Sequence, residues 1–143
     1  MSDVASDPDI VESLKAKIGT TGAERVSVIE AGYVRRFCEA IGDDDPRWRE
    51  EAPPTFVVAL GAGGLPLDEP LRYGRGGVLN GGNRFEYFEP IRIGDTIRAR
   101  TRLVDAYEKQ GGSGGLLFNI TETEYVNQDG RLVIRARGTA IRR

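Results

Sequence analysis

The chain has no histidine and one cysteine, Cys38, in 143 residues. Without histidine, no side chain has its ordinary titration near neutrality. Without histidine or clustered cysteines there is no transition-metal site to propose. A lone cysteine excludes an intramolecular disulfide and fits a reducing, cytoplasmic setting. It also makes a poor nucleophile, because a reactive thiolate wants an activating base beside it. No apolar run approaches ~20 residues, so no membrane span is expected. The opening MSDVASDPDI lacks the basic and apolar regions of a signal peptide. A net charge of −2 gives no general electrostatic pull toward nucleic acid.

What is present describes a globular protein, 39% hydrophobic and 29% charged. The length predicts one domain over 1–143, with a helical extension over 1–24. Asp7-Pro8 reads as a helix cap followed by proline at the first helical position. Ile10, Val11, Leu14 and Ile18 then recur at helical spacing. Arg25 to Ile29 reads as a short strand. Val34, Phe37, Cys38 and Ile41 line one face of a second helix, which Gly42 ends. Phe56 to Leu60 is apolar nearly all round, a buried helix or a buried strand; Pro53-Pro54 favours a helix start. Residues 61–83 read as a glycine-rich loop, with Gly81-Gly82 a tight turn into a strand at Arg84 to Phe88.

The rest is β in pattern. From Thr96 to Leu103, Ile97, Ala99, Thr101 and Leu103 alternate with Arg98, Arg100 and Arg102. Leu116 to Val126 and Arg131 to Ile141 follow, joined by the turn Asn127-Gln128-Asp129-Gly130. Helices first and long hairpin-joined strands after them make an α+β pattern. An antiparallel sheet wrapped around one apolar helix would bury Phe56 to Leu60.

That layout, with the words FCEAIGD at 37–43, Asp45-Pro46, APPTF at 52–56, NGGNRFEYFEP at 80–90, Gly94-Asp95 and YVNQDG at 125–130, resembles the MaoC-like hydratases and dehydratases. More narrowly it is similar to their N-terminal-type hotdog domain, also found as a separate small subunit. The resemblance implies a hotdog fold and an enoyl thioester of CoA or a carrier protein as substrate, with no cofactor. The catalytic version of the motif reads Gly-Asp-x-Asn-Pro-x-His. Here Asp43 stands at the catalytic aspartate, Asp45 replaces the asparagine, and Trp48 stands where the histidine belongs. Indole cannot accept a proton near neutral pH. Pro54 stands where relatives commonly have glycine, and proline has no N–H to offer a thioester oxygen. The N–H of Thr55 could substitute for it. Few residues separate Pro46 from Pro53, where relatives often have a longer lid.

The resemblance thus implies a degenerate half that shapes the acyl pocket and pairs with a second hotdog bearing the intact motif. Its substrate-binding set would be Trp48, Pro54, Thr55, Phe56, Asn80, Gly81, Gly82 and Asn83, with Asp43 as the residual catalytic position. Two alternatives stay open: a self-sufficient hotdog thioesterase or hydratase run by Asp43, Glu50 or Glu51 alone, and an acyl-CoA-binding or structural module. Each residue also has a plainer reading. Asp43 would be a turn residue at the helix end, Glu50 and Glu51 solvated acids, Trp48 a core plug. The arginine rows could contact CoA phosphates or simply form a solvated sheet face.

Overall fold

The computed structural model describes residues 8–143. Helix α1 spans Pro8–Ala16; its expected cap, Asp7, lies outside the described residues. Strand β1 (Arg25–Val28) and helix α2 (Ala31–Ile41) follow as the sequence predicts. Gly42 takes a left-handed φ of 69°, which lets it and Asp43 direct their N–H groups back to the last carbonyls of α2. Two short 3₁₀ turns, Pro46–Arg49 and Pro54–Phe56, lead into α3 (Val57–Leu60).

The central helix is therefore one turn of α-helix entered through 3₁₀ geometry. Phe56, Val57 and Leu60 are buried beneath it. Val58 is 63% exposed, which corrects the expectation of a segment buried all round. A single turn places every side chain within one revolution, so only part of it can face the sheet.

Four long strands complete the fold: β2 (Val78–Tyr87), β3 (Thr96–Gly111), β4 (Gly114–Val126) and β5 (Leu132–Arg142). They form one antiparallel sheet in the order β1-β3-β4-β5-β2, the hotdog arrangement of a sheet wrapped around a short helix. In β3 the expected alternation holds, with Ile97, Ala99, Thr101 and Leu103 buried and the three arginines exposed. In β5 it fails at the start. A register shift opposite Tyr125 and Val126 lets Val133 and Ile134 both be buried.

Strand β2 begins at Val78, six residues before the predicted strand at Arg84. Gly81 and Gly82 lie inside it, so they are not a turn into it. They form a bulge at which the pairing with β5 shifts. Gly82 has φ 138°, and the Asn80 carboxamide oxygen accepts its N–H at 2.9 Å. A β-carbon on Gly81 would lie 3.0 Å from side-chain carbons of Thr139 and Ile141. Two glycines beside two asparagines signal a turn to local reasoning; the long-range pairing with β5 overrides it.

The buried apolar side chains form two clusters along the concave face. One gathers Phe56, Val57 and Leu60 with Val34, Cys38, Ile97, Ala99, Tyr125, Val133 and Ile134. The other joins Val11 and Leu14 of α1 to Tyr73, Leu103, Ala106 and Leu117. Between them the sheet turns polar: Thr101 and Thr123 face each other at 2.9 Å, and Asn119 is buried nearby. Among the described residues no helix is long and apolar enough to cross a membrane.

Candidate functional site

The motif positions converge where the α2 terminus meets the first 3₁₀ turn. Asp43 follows the helix cap, and its Oδ1 accepts the N–H of Asp45 at 3.1 Å. Asp45 in turn caps the turn Pro46–Arg49, accepting the N–H of Arg47 at 2.9 Å. Its other oxygen takes two bonds from the Arg47 guanidinium, at 3.0 and 3.1 Å. Those bonds hold the Asp45 carboxyl below the usual aspartate range and raise Arg47 above its own. The aspartate that replaces the motif asparagine is thus a capping residue locked to arginine.

Trp48 stands between two hollows and lines both. The first, about 670 Å³, is bordered by α2 and the acidic loop, with Cys38, Asp43, Asp44 and Ile93 in its wall. The second, about 430 Å³, runs past Glu51, Pro53 and Pro54 to Tyr87, Phe88 and Ile134. Arg47 covers the indole ring at 4.8 Å from its centroid. The indole nitrogen is buried and, among the described residues, has no hydrogen-bond partner. Cys38 is 7% exposed; burial first, and the negative charge of Asp43 second, raise its thiol pKa. A raised thiol is the opposite of an activated nucleophile.

The other predicted site residues separate into three places. Pro54 and Thr55 are exposed at the entry to the central helix, with Pro54 in the wall of the second hollow. Phe56 is 0% exposed and stacks edge-on against Tyr33 and Phe37, so it offers no surface to a ligand in the free chain. Asn80, Gly81, Gly82 and Asn83 lie along β2. At ~3.3 Å per residue, Asn83 is ~13 Å from Tyr87 at the hollow. Asn83 directs its side-chain oxygen over Gly138 on the concave face. The structure therefore places Asp43 at the first hollow and Pro54 at the second, with Trp48 lining both, and leaves the asparagine pair apart from them. Of the alternative carboxylates, Glu51 borders the second hollow and Glu50 is exposed. Tyr87 and Phe88, 49% and 50% exposed, line the cleft without having been singled out in the sequence. Two large aromatics side by side at the end of a strand were the available signal.

The arginine rows are mostly committed. Glu24 accepts from Arg98 at 2.7 Å and Arg100 at 2.6 Å, and these bonds hold its carboxyl below the usual range. Arg102 pairs with Glu122 and Arg135 with Glu124.

A sequence model of the FAS1-like dehydratase domain region matches residues 16–136. A protein of the UPF0336 group from Thermobifida fusca is 33% identical over 87 residues, half of this chain. The match spans 57% of that relative's length. Among solved structures, the HadBC 3R-hydroxyacyl-ACP dehydratase complex of Mycobacterium tuberculosis matches with a TM-score of 0.68 and 21% identity, covering 88% of this chain and 97% of that one. The ChsH1–ChsH2 complex of the same organism matches with a TM-score of 0.72 and 18% identity, covering 94% and 89%. At these identities the solved structures establish the fold, and the family match over 16–136 places the chain, as a hotdog protein, in the FAS1-like dehydratase family.

Proposed function

We propose that this chain is the non-catalytic hotdog of an enoyl-thioester hydratase or dehydratase. It shapes the acyl pocket and adds its sheet, along β2, to that of a second hotdog that supplies the aspartate and histidine. The substrate is an enoyl thioester of CoA or a carrier protein, and no cofactor takes part. The observation that carries the reading is Trp48. It occupies the histidine position, sits between the two hollows, and has its only polar side-chain atom shut off from solvent with no acceptor among the described residues. Such a side chain can shape a cleft but cannot relay a proton. Pro54 supports the reading by offering no N–H at the cleft wall. Two of the structural relatives are complexes of paired chains by their own descriptions, HadBC and ChsH1–ChsH2, which fits a partner here.

The test is turnover of crotonyl-CoA and longer enoyl-CoAs by the purified chain, with and without a histidine-bearing hotdog. Loss of a general base commonly costs ~10²–10⁴-fold, so the chain alone should be nearly inactive. Activity should appear only with the partner. Robust turnover by the chain alone, abolished by Glu51→Gln or Asp43→Asn, would replace this reading with a carboxylate-only enzyme. Binding of CoA thioesters with no turnover in either arrangement would leave an acyl-binding module.

A further inference from the structure

On the concave face the strand register sets side chains in rows across β4, β5 and β2. One row, Tyr125, Ile134 and Tyr87, ends at the second hollow. Farther along the strands, Thr121, Gly138 and Asn83 form a row, and Asn119, Ala140 and Asn80 the next. The middle strand thus contributes only glycine and alanine, while both neighbours contribute hydrogen-bonding side chains. Gly138 and Ala140 are half-buried, and the asparagines of β2 are exposed. The result is a trough with a low floor and polar banks. Glycine keeps the floor low: a β-carbon on Gly138 would lie 3.3 Å from Asn83 Oδ1 and 3.9 Å from Thr121 Oγ1.

Two groups at the trough are unsatisfied. Asn119 is 4% exposed, and its Oδ1 is buried without a partner among the described residues. Arg142 follows Ala140 on the same face of β5, and its Nε is likewise buried and unpartnered. Its guanidinium reaches the Leu71 carbonyl only at 3.5 Å, and among the described residues no carboxylate pairs with it. Glu108, across Leu117 from Arg142, instead accepts from the Tyr73 hydroxyl at 2.6 Å. A buried donor or acceptor left unmade is costly, and here one of each stands on diagonal neighbours of adjacent strands. A single chemical group answers both. A hydroxyl accepts from the guanidinium N–H and donates to the carboxamide oxygen. A ketone or carboxylate would leave Asn119 without a donor.

We propose that this trough is a binding subsite for a hydroxyl group carried on an apolar chain. The chain is apolar because the row between trough and hollow carries Ala136 and Phe85, both packed at the core margin. On the dehydratase reading that chain is the acyl chain, and the substrate is an enoyl thioester hydroxylated toward its tail. The acyl assignment rests on that reading; the subsite does not. At ~3.3 Å per residue, Thr121 and Asn119 lie ~13 and ~20 Å along β4 from Tyr125. The hydroxyl held there is therefore distinct from the one that hydration adds beside the thioester.

Equilibrium binding to the purified full chain tests the subsite without CoA or a partner. The probes are methyl esters of ω-hydroxy fatty acids of graded length, each compared with the unsubstituted ester. At the length that reaches the trough, the hydroxyl should tighten binding about tenfold. Asn119→Leu and Arg142→Met should each abolish that preference and leave the affinity for the unsubstituted ester unchanged. Thermal melts check folding, and Arg142→Met, at a half-buried strand end, carries the test should the buried leucine prove too large. A trough that holds only water shows no hydroxyl preference at any length, which overturns the proposal, as does a preference that survives both variants. Turnover of ω-hydroxy and plain enoyl-CoAs with a histidine-bearing hotdog is read separately. A hydroxyl preference in binding with no turnover of any thioester upholds the subsite and overturns the dehydratase reading. Turnover of plain enoyl-CoAs by a chain indifferent to the hydroxyl does the reverse.

Discussion

Replacing Asp43 separates a turn residue from a catalytic one. In the structure its carboxylate accepts one hydrogen bond, from the half-buried N–H of Asp45 at 3.1 Å. Asparagine keeps an acceptor of the same shape at the same place, so Asp43→Asn should change stability by less than ~0.5 kcal/mol. Alanine strands that N–H, and the loss of a local cap of this kind costs about 1 kcal/mol. For a chain of this size that is about 3–4 °C in melting temperature. Both substitutions also remove the negative charge that adds to the raised Cys38 thiol, so the thiol titration should move down in each, though burial keeps it raised. The measurements are urea and thermal unfolding, the pH dependence of Cys38 modification, and turnover of enoyl-CoA by the assembled enzyme. With Asp43 as a turn residue, D43N leaves turnover far short of the ~10²-fold loss that removal of a general base produces. A D43N chain that melts like wild type, yet destroys turnover in the assembled enzyme, would refute the reasoning.

The buried hydroxyl pair on the concave face should behave non-additively. Thr101→Val leaves the Thr123 hydroxyl without its 2.9 Å partner and should cost ~1–3 kcal/mol in urea unfolding. The double change T101V/T123V should recover most of that loss, and additive costs would argue against a real bond. Glu24 predicts a pH effect. Its carboxyl is held below the usual range by Arg100 and then Arg98, so its contribution is present above the unfolded glutamate pKa and is lost as pH falls through the lower folded value. Stability measured against pH should therefore have a shallower acid limb in Glu24→Gln than in wild type; identical limbs would count against it.

The parts of the fold that were legible in the sequence are those where one face is buried and the other is wet. Thr101 to Leu103 and their neighbours in β3 alternate cleanly, and the structure buries the same side chains. The helix at Ala31–Ile41 carried its stripe and its stop in Gly42. What stayed hidden depends on partners distant in sequence. The first half of β2 is exposed on both faces, so no hydrophobic period marks it, and only pairing with β5 makes it a strand. The bulge that buries both Val133 and Ile134 is set by β4, not by the residues themselves. Around the two hollows, Asp43, Trp48 and Pro54 were found through their place in a motif. The second wall, Tyr87, Phe88 and Ile134, comes from the far side of the sheet and had no local signature.

The polar gap between the two apolar clusters has a consequence for how the molecule can change. Each cluster draws its helix and loop residues from different segments, α2 and the central helix on one side, α1 and the 67–73 loop on the other. Among the described residues, only the long strands β3 and β4 contribute to both. Among the described residues the two clusters share no member, so a substitution that loosens the α1 end reaches the packing under Trp48 through β3 and β4. Hydrogen exchange should resolve the two ends as separate opening units joined by a slow central ladder. The end distant from the cleft is thus free to vary in sequence while the wall around Trp48 keeps its shape.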